Sequence, residues 1–260
     1  MIKYKYIEQY KMLSKFIPVI TNCMIGQRKK GVNYGGLSLY KNIIKNTNAN
    51  APKFVQSNTL LEYNNLYRTL VKTQHPLLLG GDHSIGQTSV MSAVYKDPHI
   101  TVIWIDAHAD IHTETSSVSK NRHGMPLSGC LGHDKLWFEA LNNKKLLCKN
   151  LIYVGVRDLD RYEKMVLSHH KIKKMNPLQC IQYIRKYQDK KYHISFDVDS
   201  LDPKYLDATG TMAPNGLHPL DVKNIITECD DRLQSMDIVE FNPYLGDYKK
   251  SINTLRQIFC

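Results

Sequence analysis

Six short apolar runs recur along the chain, and nearly every one stops at a glycine, aspartate or asparagine: 16–22 (FIPVITN), 76–82 (PLLLGGD), 100–110 (ITVIWIDAHAD), 151–158 (LIYVGVRD), 192–199 (YHISFDVD) and 236–243 (MDIVEFNP). Runs this short, closed by turn residues and apolar at successive positions, fit strands buried on both faces. Between them lie stretches of helical length at 60–72, 86–95, 134–140, 177–188, 219–232 and 249–259. Strands alternating with helices predict an α/β fold, a parallel sheet covered by helices on both faces. With 260 residues and no repeat, low-complexity segment or linker, the reading is one domain over 1–260, with 1–15 a short N-terminal extension.

Composition adds little to this picture. Apolar residues make up 42% and charged residues 23%, ordinary values for a packed globular protein. The net charge of +11 comes mainly from lysines spread along the chain. A nucleic-acid partner calls for clustering on one face or beside stacking aromatics, so none is expected. The six cysteines are scattered without a C-x-x-C pair, which suits reduced thiols in a cytoplasmic setting. No apolar run approaches the ~18 residues of a membrane span, and no secretory signal is expected, because the opening residues hold no uninterrupted apolar segment. Glu8, and the lack of arginine before Arg28, argue against reading the lysine-rich opening as an organellar address.

Candidate chemistry changes the picture more. In an open parallel sheet, ligands sit beyond the carboxyl ends of the strands, where four of the six runs end in a histidine or carboxylate. In IDAHAD, Asp106, His108 and Asp110 alternate, so an extended chain past Ile105 would point all three to one side. SFDVDSLDP repeats the device with Asp197 and Asp199, and GGDHS adds His83 on a glycine turn. Four carboxylates gathered in a buried place repel one another unless cations join them, and two imidazoles with four carboxylates suit Mn²⁺ better than a thiophilic ion. A pair of ions about 3.5–4 Å apart would share bridging carboxylates and a hydroxide.

With these segments in view, the chain resembles the ureohydrolases and, within them, the arginase family. The resemblance is carried by GQRKKGV (26–32), GGDHS (80–84), DAHAD (106–110), NRHG (121–124), GVRDLD (155–160), SFDVDSLDP (195–203), ATGT (208–211) and DIVEFNP (237–243). It implies a three-layer αβα fold with a central, mostly parallel sheet of about eight strands. It also implies hydrolysis of L-arginine to L-ornithine and urea by a hydroxide bridging two Mn²⁺ ions per subunit, in a homo-oligomer, trimer or hexamer. His83 and Asp110 would bind one ion, His108 and Asp199 the other, and Asp106 and Asp197 both. His123 matches the family's proton-shuttling histidine and Glu240 the carboxylate that orients the guanidinium. Asp160 would receive the α-amino group, Ser117, Ser119 and Asn121 lie in the loop that reads the α-carboxylate, and Asp158 and Thr211 would support the metal ligands.

The chain departs from the arginase pattern at two points. His112 stands where arginases carry an asparagine that contacts the substrate carboxylate, and Met212, Ala213, Pro214 and Asn215 replace the usual stretch after ATGT. These leave room for a ureohydrolase acting on agmatine or a guanidino acid. A metal-binding protein without turnover is the remaining alternative, although every ligand position is filled by a competent side chain. The pair His169–His170 has no motif around it and is read as a solvated loop.

Overall fold

A computed structural model of the chain describes residues 13–45 and 50–260. Eight strands form the sheet: β1 (Ile17–Thr21), β2 (Lys53–Val55), β3 (Pro76–Leu79), β4 (Thr101–Ile105), β5 (Leu151–Val154), β6 (Lys173–Met175), β7 (Tyr192–Asp197) and β8 (Leu233–Val239). Their order is β2-β1-β3-β8-β7-β4-β5-β6, and every pairing is parallel. Each of the six apolar runs yields a strand. The two strands that were not expected, β2 and β6, are three-residue segments at the two edges. An edge strand is paired on one side only, so its sequence (KFV, KKM) need not be apolar, and lysines there discourage further pairing.

The helices are α1 (Gly35–Leu39), α2 (Leu60–Lys72), α3 (Gly86–Lys96), α4 (Pro126–Leu131), α5 (Arg161–His169), α6 (Pro177–Lys186), α7 (Pro219–Cys229) and α8 (Tyr248–Phe259). Local chemistry sets their starts. Thr59 accepts from the Glu62 amide at the head of α2, and Asn176 with Gln179 forms a reciprocal cap on α6, with Pro177 in its first turn.

Two sequence expectations need correction. Residues 134–140 are irregular, not helical. The preceding helix α4 ends at Gly132 in the left-handed conformation, and Trp137 and Phe138 enter the core side by side, the Trp137 amide held by Gln87 Oε1 at 2.7 Å. The segment is anchored by contacts to residues distant in sequence, which helical length alone does not reveal. His169 closes α5 and His170 caps it, so this pair lies at a helix end instead of in a solvated loop. The expected N-terminal extension falls mostly outside the described residues, although Leu13 is already buried in the core.

Alternation along the strands sorts side chains into two cores. Leu77, Leu79, Ile103, Ile105, Ile152 and Val154 pack on one face under α6, α7 and α8, whereas Leu78, Val102, Trp104, Leu151 and Tyr153 pack on the other under α2 and α3. On that second face β7 and β8 are polar: His193 pairs in register with Ser235, and Ser195 with Asp237. This polar stripe leads to the carboxyl end of the sheet.

Candidate metal centre and its cavity

His83 follows β3 through a turn that only glycine allows, since a Cβ on Gly81 would stand 1.7 Å from the Cys23 carbonyl oxygen. The carboxylate of GGDHS is structural: Asp82 accepts from the amides of Gly26 and Ser84, at 2.9 and 3.0 Å. The expected extension of β4 does not occur. The strand stops at Ile105, and residues 106–110 form a bend that ends with Asp110 at φ 51°. Convergence of Asp106, His108 and Asp110 therefore comes from a strained turn, not from strand alternation, a conformation costing about 1–3 kcal/mol that a functional site retains. Asp197 is the last residue of β7, and its carboxylate accepts from the Asp199 amide at 2.8 Å across a single 3₁₀ turn.

These turns bring all six proposed ligands together. His83 Nδ1 lies 3.1 Å from Asp106, 3.0 Å from Asp110 and 3.1 Å from Asp197. His108 Nδ1 lies 3.2 Å from Asp199 and 3.5 Å from Asp106. Asp106 thus turns Oδ2 to one imidazole and Oδ1 to the other, as a bridging carboxylate must. Asp197 belongs to the first trio and is absent from the second.

The donor set fits a pair of cations. His83 Nδ1 is fully buried and makes no aligned hydrogen bond despite three carboxylate oxygens around it, the geometry of a lone pair aimed at a shared positive centre. Burial opposes charge on His83 and on His108, but the surrounding carboxylates outweigh it and push both imidazoles up. Burial, followed by the Asp106 charge, pushes Asp110 up to about 7. Asp197 and Asp199 are also raised, first by burial and then by neighbouring carboxylates. Carboxylates whose pKa values are raised by burial and by one another are short of positive charge, which metal ions would supply.

Several supporting groups went unread in the sequence. The Trp104 indole donates to Asp106 Oδ2 at 2.9 Å and stacks on His83, centroids 4.1 Å apart and planes within 5°. His83 Nε2 meets Ser195 Oγ at 2.9 Å, Ser195 Oγ donates to Asp237 at 2.6 Å, and the other Asp237 oxygen lies 3.3 Å from His193. The available signal was polarity inside a buried run: Ser195 and Asp237 interrupt otherwise apolar strands, and such groups need partners. The relay sets His83 to present Nδ1 as the ligand atom. Asp237→Asn is therefore expected to weaken Mn²⁺ binding about 10–100-fold in a folded protein, measured by calorimetric titration of chelated protein, and an unchanged affinity would remove the relay from this role.

The exits of β4 and β5 are stitched together by the Ala107 carbonyl, which accepts from the Arg157 and Asp158 amides at 2.9 and 3.0 Å. Arg157, a residue of GVRDLD given no role in the sequence reading, sends its guanidinium to the carbonyls of Asp199, Ser200, Ala213 and Pro214, which holds the divergent 212–215 loop. Thr211 donates to Asp199 Oδ2 at 2.8 Å, and Asp158 lies 3.7 Å from His108 Nε2.

A cavity of about 240 Å³ opens over the cluster, lined by His108, Asp110, His112, His123, Asp158, Asp160, Glu163, Asp197, Asp199 and Thr211 among others. It lies below the ~300–1,000 Å³ of drug-sized pockets and suits an amino-acid-sized ligand. Glu240, in the left-handed region at φ 63°, is buried and touches the cavity-lining His123. Its Oε1 accepts from the His83 amide at 2.8 Å and meets His123 Nδ1 at 3.1 Å, while Gln27 donates to Oε2. Burial opposes charge on His123, but the bond to Glu240 outweighs it and lifts the imidazole to about 9. At the mouth, Asp160 caps α5 through Oδ1 and faces His112 Nε2 at 3.1 Å through Oδ2, with His112 stacked on Tyr162. His112 thus groups with Asp160 and Glu163, not with the two metal trios. Ser117 and Ser119 turn their hydroxyls to loop amides of Lys120 and Asn121, and neither they nor Asn121 line the cavity.

Comparison with known proteins agrees with this geometry. The sequence profile of the arginase family matches residues 31–259. Relatives include arginases of Plasmodium berghei, 35% identical over 71% of this chain, and Schizosaccharomyces pombe, 34% identical over 78%. The matched stretch spans 57% of the first relative's length and 68% of the second's. Among solved structures, Entamoeba histolytica arginase in complex with L-ornithine superimposes with a TM-score of 0.81 at 27% identity, covering 94% of this chain and 98% of that one. Bacillus subtilis arginase gives 0.80 at 26% identity, covering 94% and 96%. The paired His–Asp trios at the sheet's carboxyl edge and these matches lead to one conclusion: the chain belongs to the arginase family.

Proposed function

We propose that this protein hydrolyses the guanidinium group of L-arginine to L-ornithine and urea, holding two Mn²⁺ ions between His83, Asp106, Asp110, His108, Asp197 and Asp199. The observation that carries the reading is Asp106, one oxygen turned to each imidazole trio, beneath a cavity whose far wall bears Asp160. Relatives named arginase, and the L-ornithine complex of the Entamoeba histolytica enzyme, support it. Two divalent cations held by these six residues would supply the activation of water that hydrolysis of a guanidinium needs.

The chain's own residues do the rest. Asp110, Asp197 and Asp199 neutralise the ions, and the buried walls around His83 keep bulk water from competing for them. His123 has Nδ1 engaged by Glu240, which leaves Nε2 to pass a proton to the leaving amine, a task suited to an imidazole charged at neutral pH. Glu240 holds His123 in place through Oε1, and its Oε2, which accepts from Gln27 alone, keeps capacity for one more donor. Asp160 offers a carboxylate to the α-amino group, and Thr211 steadies Asp199. The family resemblance further supports a homo-oligomer, trimer or hexamer, which light scattering of purified protein tests.

One observation favours a second reading, a different guanidino substrate. The Asp160 oxygen that would receive the α-amino group already faces His112 at 3.1 Å. Urea release from L-arginine, agmatine and a guanidino acid, assayed with Mn²⁺ and after chelation, separates the readings. Expected is Mn²⁺-dependent release that is fastest with L-arginine. Release unaffected by chelation sinks the metal mechanism, and faster release from another substrate selects the second reading. His112→Asn frees Asp160 and restores the arginase-like side chain. It should raise kcat/KM for L-arginine relative to agmatine about 10-fold, the worth of one hydrogen bond to a charged group, and an unchanged ratio would clear His112 of any part in specificity.

A further inference from the structure

Apart from the groups that border the catalytic cavity, the described residues contain one further cluster of metal-type ligands. His133, Cys148 and His170 bring two imidazole nitrogens and a thiol sulfur within 4.8 Å of one another. They come from three separate places in the chain. His133 follows Gly132, the left-handed residue that ends α4; Cys148 opens the short 3₁₀ turn Cys148–Asn150 that leads into β5; and His170 caps α5.

Each backbone is held by bonds that do not involve the cluster. The His133 amide donates to Ser128 O at 2.8 Å, the His170 amide to Val166 O at 3.0 Å, and the Asn150 amide to Leu147 O at 2.8 Å. The convergence is therefore built into the fold, so little of an ion's binding energy would go into ordering the chain. The rings of His133 and His170 stack with centroids 4.4 Å apart and planes at 26°, while His169 stands edge-on to His170 at 4.7 Å. Two face-to-face imidazoles repel when both are charged. Burial first, and then the His170 charge, hold His133 below its ordinary value, which favours the neutral ring that ligates metals.

The donor set differs in kind from that of the catalytic centre. It contains sulfur and no carboxylate, a combination that selects Zn²⁺ over Mn²⁺. We propose that His133, Cys148 and His170 form a second metal site for a borderline-soft divalent cation of the Zn²⁺ type, with water in the fourth tetrahedral position. Binding replaces the Cys148 thiol proton, which passes to solvent, by a sulfur–metal bond. Lys145 is exposed and carries a like charge near His133, which the ligands' binding energy must outweigh. The ion ties the exits of α4 and α5, two helices whose entrances lie next to His123 and Asp160 at the catalytic cavity.

Co²⁺ is the probe, because a thiolate ligand gives it a strong near-ultraviolet charge-transfer absorption that oxygen and nitrogen ligands do not. None of the proposed catalytic ligands is a cysteine, so this band reports a thiolate site outside the catalytic centre, and the Cys148 variant assigns it. Titration of the reduced full-length protein should give the band, rising to saturation as Co²⁺ fills the site. The band should persist in Asp106→Asn, vanish in Cys148→Ser, and require at least about tenfold more Co²⁺ in His170→Ala, whose thiol is intact. Zn²⁺ should bleach it at far lower concentration than Mn²⁺. No band in folded wild-type protein saturated with Co²⁺, an undiminished band in Cys148→Ser, or equal bleaching by Mn²⁺ and Zn²⁺ overturns the proposal. The wild-type titration decides even if a variant fails to fold.

Discussion

Asp106→Asn is expected to abolish Mn²⁺-dependent urea release, by on the order of 10³-fold or more, and to empty the metal centre at the same time. Asp106 is the group that faces both imidazoles, and its two oxygens also accept from the His108 amide at 2.7 Å and the Trp104 indole at 2.9 Å. An amide in its place loses the charge that binds two cations. Its NH₂ end must also meet one of those N–H donors, so one hydrogen bond turns into a clash of donors. Metal content by mass spectrometry, with circular dichroism to verify the fold, checks the result. A variant that keeps both its metal and its turnover would show that the bridging geometry has no part in the chemistry.

Chelated protein should lose thermal stability as pH rises from 6 to 9, and Mn²⁺ should remove most of that dependence. Without cations the cluster is held together by protons. The pKa values of His83, His108 and His123 are raised on folding, as are those of the acids Asp110, Asp197 and Asp199. A group whose folded pKa lies above its unfolded value stabilises the fold at low pH, and that contribution is lost as pH climbs through the folded value. For Asp110 the loss runs from the ordinary carboxylate range to about 7, and for His123 from the ordinary imidazole range to about 9. His123 alone accounts for at most about 3 kcal/mol, a shift of several degrees. Asp106, whose pKa is lowered, acts in the opposite sense but only in strong acid. Saturating Mn²⁺ adds stability by mass action and displaces the protons shared among the six ligand groups, leaving that of His123 in place. Melting curves that are flat with pH in the chelated protein, or unaltered by Mn²⁺, would contradict the reading of the cluster as a cation site.

Much of the centre was legible because its motifs sit where continuous apolar runs break off. A strand buried on both faces cannot carry Asp197 or His83 in its middle without partners, so polar residues at the run's end mark the edge where ligands gather. The resemblance then assigned six ligands, and all six converge. The substrate end was less legible. Asp160 does border the cavity, but its pairing with His112 joins residues 48 positions apart, and the engagement of Ser117 and Ser119 with their own loop follows from loop geometry that no spacing reveals.

By itself the sequence determined the alternating αβ architecture, five of the helices and six of the strands, because each depends on periodicity or on a local motif, and the resemblance it carries named six candidate metal ligands. Only the tertiary structure decided how the ligands meet. The bend at 106–110, the left-handed Asp110 and Glu240, the relay from His83 through Ser195 and Asp237 to His193, and the edge strands β2 and β6 all depend on neighbours distant in sequence. Packing outweighs local preference at such positions, because a strained turn costing about 1–3 kcal/mol is easily held by the buried hydrogen bonds and charges around it.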